Sequence, residues 1–183
     1  MEGVTVKKVI IINGVGRSGK DEFVKMCHKY CPYTVNVSSV ENVKLIAQRM
    51  GWDNDKSEKG RKFLSDLKYL WDDYNGEATG RTFRRVMGYT QFMDDGGLDY
   101  LIFVHIREPE KIEEFKQMLS DEDVNAGTML VKNSNVPEIK SNISDGSVEN
   151  YSYDFVIDNS GTLEQLEELA KEFVRKCKED VDA

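Results

Sequence analysis

The run from Val9 to Asp21 constrains this chain more than any other stretch. Four apolar residues, Val9-Ile10-Ile11-Ile12, lead into Asn13-Gly14-Val15-Gly16-Arg17-Ser18-Gly19-Lys20-Asp21. A β-branched run that breaks at glycines and resumes at helical spacing predicts a strand, a tight loop and a helix in succession. Gly14, Gly19 and Lys20 fall on the first three fixed positions of the pattern G-x-x-x-x-G-K-[S/T]. Glycines there let backbone N–H groups turn inward onto phosphate oxygens, and the next helix adds its positive dipole end. The lysine reaches the β- and γ-phosphates of a nucleoside triphosphate. The fourth position departs from the pattern: Asp21 stands where Ser or Thr would ordinarily ligand Mg²⁺, and a metal role for it comes only with the family resemblance given below. Gly14, Val15, Gly16, Arg17, Ser18, Gly19, Lys20 and Asp21 are therefore the expected nucleotide-binding residues.

At 183 residues the chain has room for one α/β domain with a sizeable core. No apolar run approaches the roughly 20 residues that would cross a membrane. Val9–Ile12 is too short for a signal-peptide apolar region. Cys27, Cys31 and Cys177 are odd in number and fit no disulfide or metal framework, so reduced thiols in a cytoplasm are expected. A net charge of −8 argues against nucleic-acid binding. The charge is uneven: Ser38 to Arg85 holds ten Lys/Arg against eight Asp/Glu, a locally basic middle suited to a small anionic substrate or to a solvated mixed-charge surface.

After the loop, Phe23, Val24, Met26, Cys27 and Tyr30 predict a helix reaching to Pro32, with His28 structural within it. Tyr33–Val37 alternates as a second strand, and a helix follows over Val40–Met50. A stronger helix is predicted over Glu58–Tyr74, with Phe63, Leu64, Leu67, Leu70, Trp71 and Tyr74 on an inward face and Arg61 at its edge. Thr79–Met93 makes another helix, carrying Arg81, Arg84 and Arg85. Tyr100–Ile106 is nearly all apolar, as a central parallel strand would be, and Pro109 suits the first turn of the next helix. Thr128–Val131 and Tyr153–Ile157 give two more strands. Thr162 and Gln165 form a capping box for a last helix. Residues 133–150 are polar and aperiodic, which predicts a lid-like loop. Five strands alternating with helices predict a three-layer α/β/α sandwich around a five-stranded parallel sheet. The chain reads as one domain over residues 1–183, with residues 39–95 a helical acceptor-binding insert.

With those residues in place, the chain resembles the P-loop nucleoside-monophosphate kinase superfamily, most of all the bacteriophage deoxynucleoside monophosphate kinases and animal-type phosphomevalonate kinases. Gly16-Arg17-Ser18-Gly19-Lys20-Asp21 is similar to their loop, in which G-K-D replaces G-K-[S/T]. Phe103 to Pro109 resembles their strand end, although His105 takes the place of the family's acid. Ser144 to Glu149, with Tyr153 to Leu163, resembles their lid, strand and N-x-G turn. Residues 133–150 hold no arginine where such lids bring them; Lys140 is the one cation there, and Lys132 precedes it.

The resemblance implies an ATP- and Mg²⁺-dependent phosphotransferase acting on small nucleotides, as a monomer or homodimer. Lys20, Arg17 and Arg107 would be catalytic, Asp21 would be the Mg²⁺ ligand, and Asn159 and Gly161 would lie near the ATP base. Ser38, Arg61, Arg81, Arg84 and Lys140 would serve the acceptor side. Tyr69 and Trp71 read either as core or as stacking residues. Two alternatives stand: a nucleotide-binding protein without catalysis, and a kinase for another phosphorylated metabolite such as phosphomevalonate.

Overall fold

Strand β1, Lys7–Asn13, is buried from Val9 to Asn13, and a strand with no solvent face belongs in the middle of a parallel sheet. The computed structural model, which describes residues 6–136, 148 and 151–179, places it there. β1 is flanked by β3, Tyr100–His105, and β4, Ala126–Lys132, both parallel to it. β2, Thr34–Ser38, lies beyond β3, and β5, Phe155–Asp158, lies beyond β4. The order is β2-β3-β1-β4-β5, all parallel, as the alternation of strands and helices predicts.

Six helices are described: α1 Lys20–His28, α2 Glu41–Arg49, α3 Glu58–Asn75, α4 Glu77–Asp95, α5 Pro109–Ser120 and α6 Leu163–Glu179. The period of two in β1 divides the core. Ile10 and Ile12 face α1 and α6, where Phe23, Cys27, Phe173 and Val174 pack against Phe103 and Met129. Val9 and Ile11 face α4 and α5, where Val86, Ile112 and Phe115 pack against Ile102 and Val104. Phe23 meets Phe103 edge-on, with ring centroids 6.3 Å apart. The three cysteines are buried free thiols, and burial pushes the Cys27 thiol up, away from nucleophilic chemistry. Thr162 and Gln165 form the expected capping box, and Pro109 opens α5.

Several boundaries differ from the sequence reading. α1 ends at His28, short of Pro32, because the N–H groups of Tyr30 and Cys31 both close onto the Cys27 carbonyl. α4 starts at Glu77 and β4 at Ala126, each two residues earlier than expected. β2 and β5 are displaced toward their C-terminal ends, so Ser38 closes β2 opposite His105. The larger correction concerns α3. Its predicted inward stripe is only partly covered: Phe63, Leu64, Leu67 and Trp71 are half-buried, whereas Leu70 is 63% exposed and Tyr74 85%. α3 lies on α2 and α4 and not on the sheet, and only Gly60 and Lys68 are buried along it. Residues 137–147, most of the expected lid, lie outside the described residues.

Truncating Phe103 to Ala should cost about 3–5 kcal/mol in urea denaturation, whereas Tyr74→Ser should stay within about 0.5 kcal/mol of the parent. A large loss for the tyrosine variant would restore the inward stripe and contradict the observed packing of α3.

Candidate functional site

The carboxyl end of β1 runs into the loop through Asn13, which is fully buried. A buried amide must find partners, and this one finds three. Its Oδ1 accepts the Gly14 N–H at 2.7 Å, and its Nδ2 donates to the Arg107 carbonyl at 2.9 Å and the Tyr153 hydroxyl at 2.8 Å. The start of the loop is thereby tied to the segment after β3 and to the segment before β5.

Two glycines are required by what surrounds them. At Gly14 (φ 148°) an added Cβ would run into the Val131 carbonyl and lie 2.7 Å from Ser18 Oγ. At Gly19 (φ 92°) it would collide with Asn159 Nδ2, which donates to the Ser18 carbonyl at 2.9 Å. Arg17 holds a left-handed conformation (φ 70°), a strained state for a non-glycine residue that occurs preferentially in ligand-binding loops. Gly19 caps α1 with no side-chain acceptor, so the first-turn N–H groups of that helix are left to the loop. The Lys20 ammonium bridges the loop by donating to the carbonyls of Gly14 (2.6 Å) and Val15 (2.9 Å).

Beside the loop, three side chains form a chain of contacts across α1, β2 and β3. His105 Nε2 lies 2.6 Å from Asn36 Oδ1, and Asn36 Nδ2 donates to Asp21 Oδ1 at 2.9 Å. His105 Nε2 is also 3.6 Å from Asp21 Oδ1. Burial pushes His105 down to about 4 against the upward pull of Asp21, with Lys20, Arg107 and Lys44 adding to the depression. The ring is therefore neutral at pH 7, and with Nε2 facing a carbonyl-type oxygen its proton sits on that nitrogen.

Two adjoining cavities open from the loop on this side. One, of about 550 Å³, is lined by Arg17, Lys20, Asp21, Ser38, Lys44 and His105. The other, of about 510 Å³, is lined by Lys44, Trp52, Arg61, Ser65, Lys68 and Arg107. Gly16, Asp21, Lys44, Lys68, Arg107 and Glu108 belong to both walls. Lys68 is 7% exposed and pairs with Glu108 at 3.1 Å. Burial alone would raise the Glu108 carboxyl, but Lys68 and Arg107 outweigh it and hold the group below its ordinary range. On the opposite flank of the loop a cavity of about 390 Å³ is lined by Val15, Lys132, Ser134, Asp158 and Ser160.

Val15, Gly16, Arg17, Lys20, Asp21, Ser38, Arg61 and Arg107 line these spaces, while Gly14, Ser18 and Gly19 lie behind them in the loop with Asn159 packed against Gly19. Gly161 stands on an outer groove with Asn159 and packs against Gln165. Arg81 and Arg84 are not brought there. Both pair with Glu77, at 3.1 and 2.8 Å, and Arg84 lines a separate cavity with Lys7 and Tyr100. Trp71 lies under the Arg81 guanidinium, and Tyr69 is exposed, so neither joins the cleft. Lys140 lies outside the described residues.

The sequence reading passed over Asn13, Asn36, Lys44, Trp52, Lys68 and Glu108. A signal for Lys68 existed: Arg61, Leu64, Ser65 and Lys68 recur at helical spacing and share the face of α3 that lines the cleft.

The loop fits a nucleoside triphosphate: close packing leaves no room for side chains at Gly14 and Gly19, and the Lys20 ammonium stands over the loop beside the uncapped start of α1. It also fits a magnesium ion held in part by phosphate. Among the described residues no three His, Cys, Asp or Glu cluster to cage a metal, but Asp21 offers a hard oxygen ligand beside the loop.

Neither a known family model nor a curated protein sequence matches the chain. Solved structures do. The chain is similar to the Deinococcus radiodurans tunicamycin resistance protein, with a TM-score of 0.56 at 12% identity over 92% of this chain and 95% of that one. It is similar to the Mycobacterium tuberculosis APS kinase in complex with AMPPNP and APS, with a TM-score of 0.53 at 12% identity over 93% of this chain and 97% of that one. It is also similar to a gluconokinase of Sinorhizobium meliloti, with a TM-score of 0.53 at 11% identity over 98% of this chain and 97% of that one. These likenesses are of fold: a five-stranded parallel sheet between helices, which this chain shares with both of those kinases.

Proposed function

We propose that this chain is an ATP-dependent phosphotransferase that moves the γ-phosphoryl group onto a small phosphorylated acceptor, a nucleoside monophosphate. One observation carries the reading. A glycine-required phosphate cradle shares Gly16 and Asp21 with both cavities, and Lys44, Lys68 and Arg107 form their common wall. A donor phosphate on the loop and an acceptor phosphate among those cations would then face each other.

Phosphoryl transfer asks little covalent work of the protein; positioning and charge stabilisation supply the catalysis. An oxygen of the acceptor phosphate attacks the γ-phosphorus, the bond to the β,γ-bridging oxygen breaks, and ADP leaves with that electron pair. In this reading the Lys20 ammonium leaves the carbonyls of Gly14 and Val15 for the β- and γ-oxygens. Arg17 and Arg107 stabilise the charge spreading over the transferring group, while Lys44, Arg61 and Lys68 hold the acceptor phosphate. Asp21 is the residue that would hold a magnesium ion, which would supply neutralisation of phosphate charge when bound. Neutral His105 acts through Asn36, whose amide orients the Asp21 carboxylate. Asp158 and Ser160 border the space beyond the loop that the nucleoside of ATP would take, and Asn159 braces the loop beside it at Gly19.

ADP release should be stimulated by at least one nucleoside or deoxynucleoside monophosphate in a coupled assay. Lys20→Ala should lower kcat by about 100-fold or more, and turnover unchanged in that variant would overturn the reading. Arg81→Ala and Arg84→Ala should keep kcat/KM within about twofold of the parent, since both arginines are engaged with Glu77 away from the cleft.

The depressed histidine gives a pH signature. The unfolded chain takes up a proton at His105 near pH 6.5, whereas the folded protein resists until about 4. Protons thus favour unfolding: this contribution is fully present above about pH 6.5 and is lost progressively as pH falls toward 4. His105→Asn should flatten the decline of Tm over that window, and an unaltered slope would contradict the buried neutral ring.

A further inference from the structure

α3 turns one face outward. Lys59, Lys62, Asp66, Tyr69 and Asp73 follow one another at steps of three and four, all are exposed, and Leu70 stands beside them. Such alternating steps keep side chains in one straight row along a helix, the spacing by which one helix meets another. The row lies on the side away from the half-buried Leu64 and Trp71. Arg61 and Lys68 belong to a different face, which lines the cleft.

Two features of this row are unfavourable within a single chain. Tyr69 and Leu70 are 69% and 63% exposed, and adjoining apolar side chains left in water mark contact surfaces in a way that scattered ones do not. The charges also run against the helix. Lys59 stands in the first turn, at the positive pole of the macrodipole. Asp73 stands in the last turn, at the negative pole, where no basic residue offsets it. Among the described residues Asp73 has no ion-pair partner.

A second α3 laid antiparallel on the first answers both demands. A two-fold axis at Asp66 exchanges positions seven residues to either side, so the Lys59 ammonium of each copy faces the Asp73 carboxylate of the other. The same operation sets Leu70 against the apolar stem of the other copy's Lys62. The Lys62–Asp66 pair, 2.6 Å apart within each copy, comes to the axis, where each carboxylate meets an ammonium from both copies. Opposite helix poles also come together. A parallel copy would do the reverse, setting lysine against lysine and aspartate against aspartate.

We propose that the outward face of α3 is a self-association surface, and that its partner is a second copy of this chain docked antiparallel about Asp66. A single helix face forms a small, reversible interface, and charge sets its register. Association needs no nucleotide and leaves Arg61 and Lys68 facing the cleft, so it stands apart from the phosphotransferase reading.

Sedimentation equilibrium of the parent chain at low salt, from about 1 µM to about 1 mM, is the test. The average mass should rise from one chain toward two, and about 0.5 M NaCl should weaken the dimer by about 10-fold or more. Lys59→Asp and Asp73→Lys should each weaken it by about 10-fold or more, because symmetry turns two attractions into two repulsions at once. Both positions are exposed, so each variant should keep the parent's circular dichroism. The two substitutions together should restore association to within about threefold of the parent. A parent that stays monomeric throughout, a dimer indifferent to either reversal, or a double variant no better than the single ones would overturn the proposal.

Discussion

The buried amide of Asn13 is the interaction on which the site depends. It sits at the end of the central strand, where no solvent can satisfy it; one of its three bonds holds the N–H of the next residue, Gly14, and the other two reach distant segments of the chain. A polar network of this kind is favourable only when complete, so its geometry admits little variation. The loop entry, the Arg107 turn after β3 and Tyr153 before β5 are thus fixed relative to one another. Gly14 and Gly19 tighten the same region, the first against the Val131 carbonyl of β4 and the second against Asn159. The tight loop is a consequence of this close approach, and the reading of it as a phosphate site rests on that shape.

The second organising fact is the position of α3. Because it lies on α2 and α4 instead of the sheet, a cleft is left between it and the loop. One face of α3 turns Arg61, Ser65 and Lys68 into that cleft, and Glu108 at the start of α5 holds Lys68 in the wall. A nearly buried lysine paired with a single carboxylate at 3.1 Å retains donors for an incoming anion. Of the ten basic residues between Ser38 and Arg85, four line that cleft: Lys44, Lys56, Arg61 and Lys68.

Much of the fold was legible because it rests on short-range patterns. The alternation in β1, the unbroken apolar run of β3, the Thr162–Gln165 box and Pro109 at the start of α5 each act within a few residues. The glycine-rich loop was legible for the same reason. What escaped depends on distant partners. Lys68 reads as a surface charge until Glu108, 40 residues on, is placed beside it, and Asn36 has no evident task until His105, 69 residues away, closes the chain to Asp21. The apolar pattern of α3 misled because periodicity marks a face without saying what covers it. Arg81 and Arg84 offer the opposite lesson: Glu77, four and seven residues before them, already supplied the partner that keeps them from the cleft.

The central claim is that the loop from Gly14 to Lys20 recognises phosphates through its backbone shape. Calorimetric titration with inorganic tripolyphosphate, which has no base or sugar, tests this most directly. The account predicts binding that AMPPNP competes away and that Gly19→Ala abolishes, because a side chain is strained at that left-handed position (φ 92°) and would displace Asn159 from the loop. Undiminished binding in that variant, or none in the parent, would contradict it.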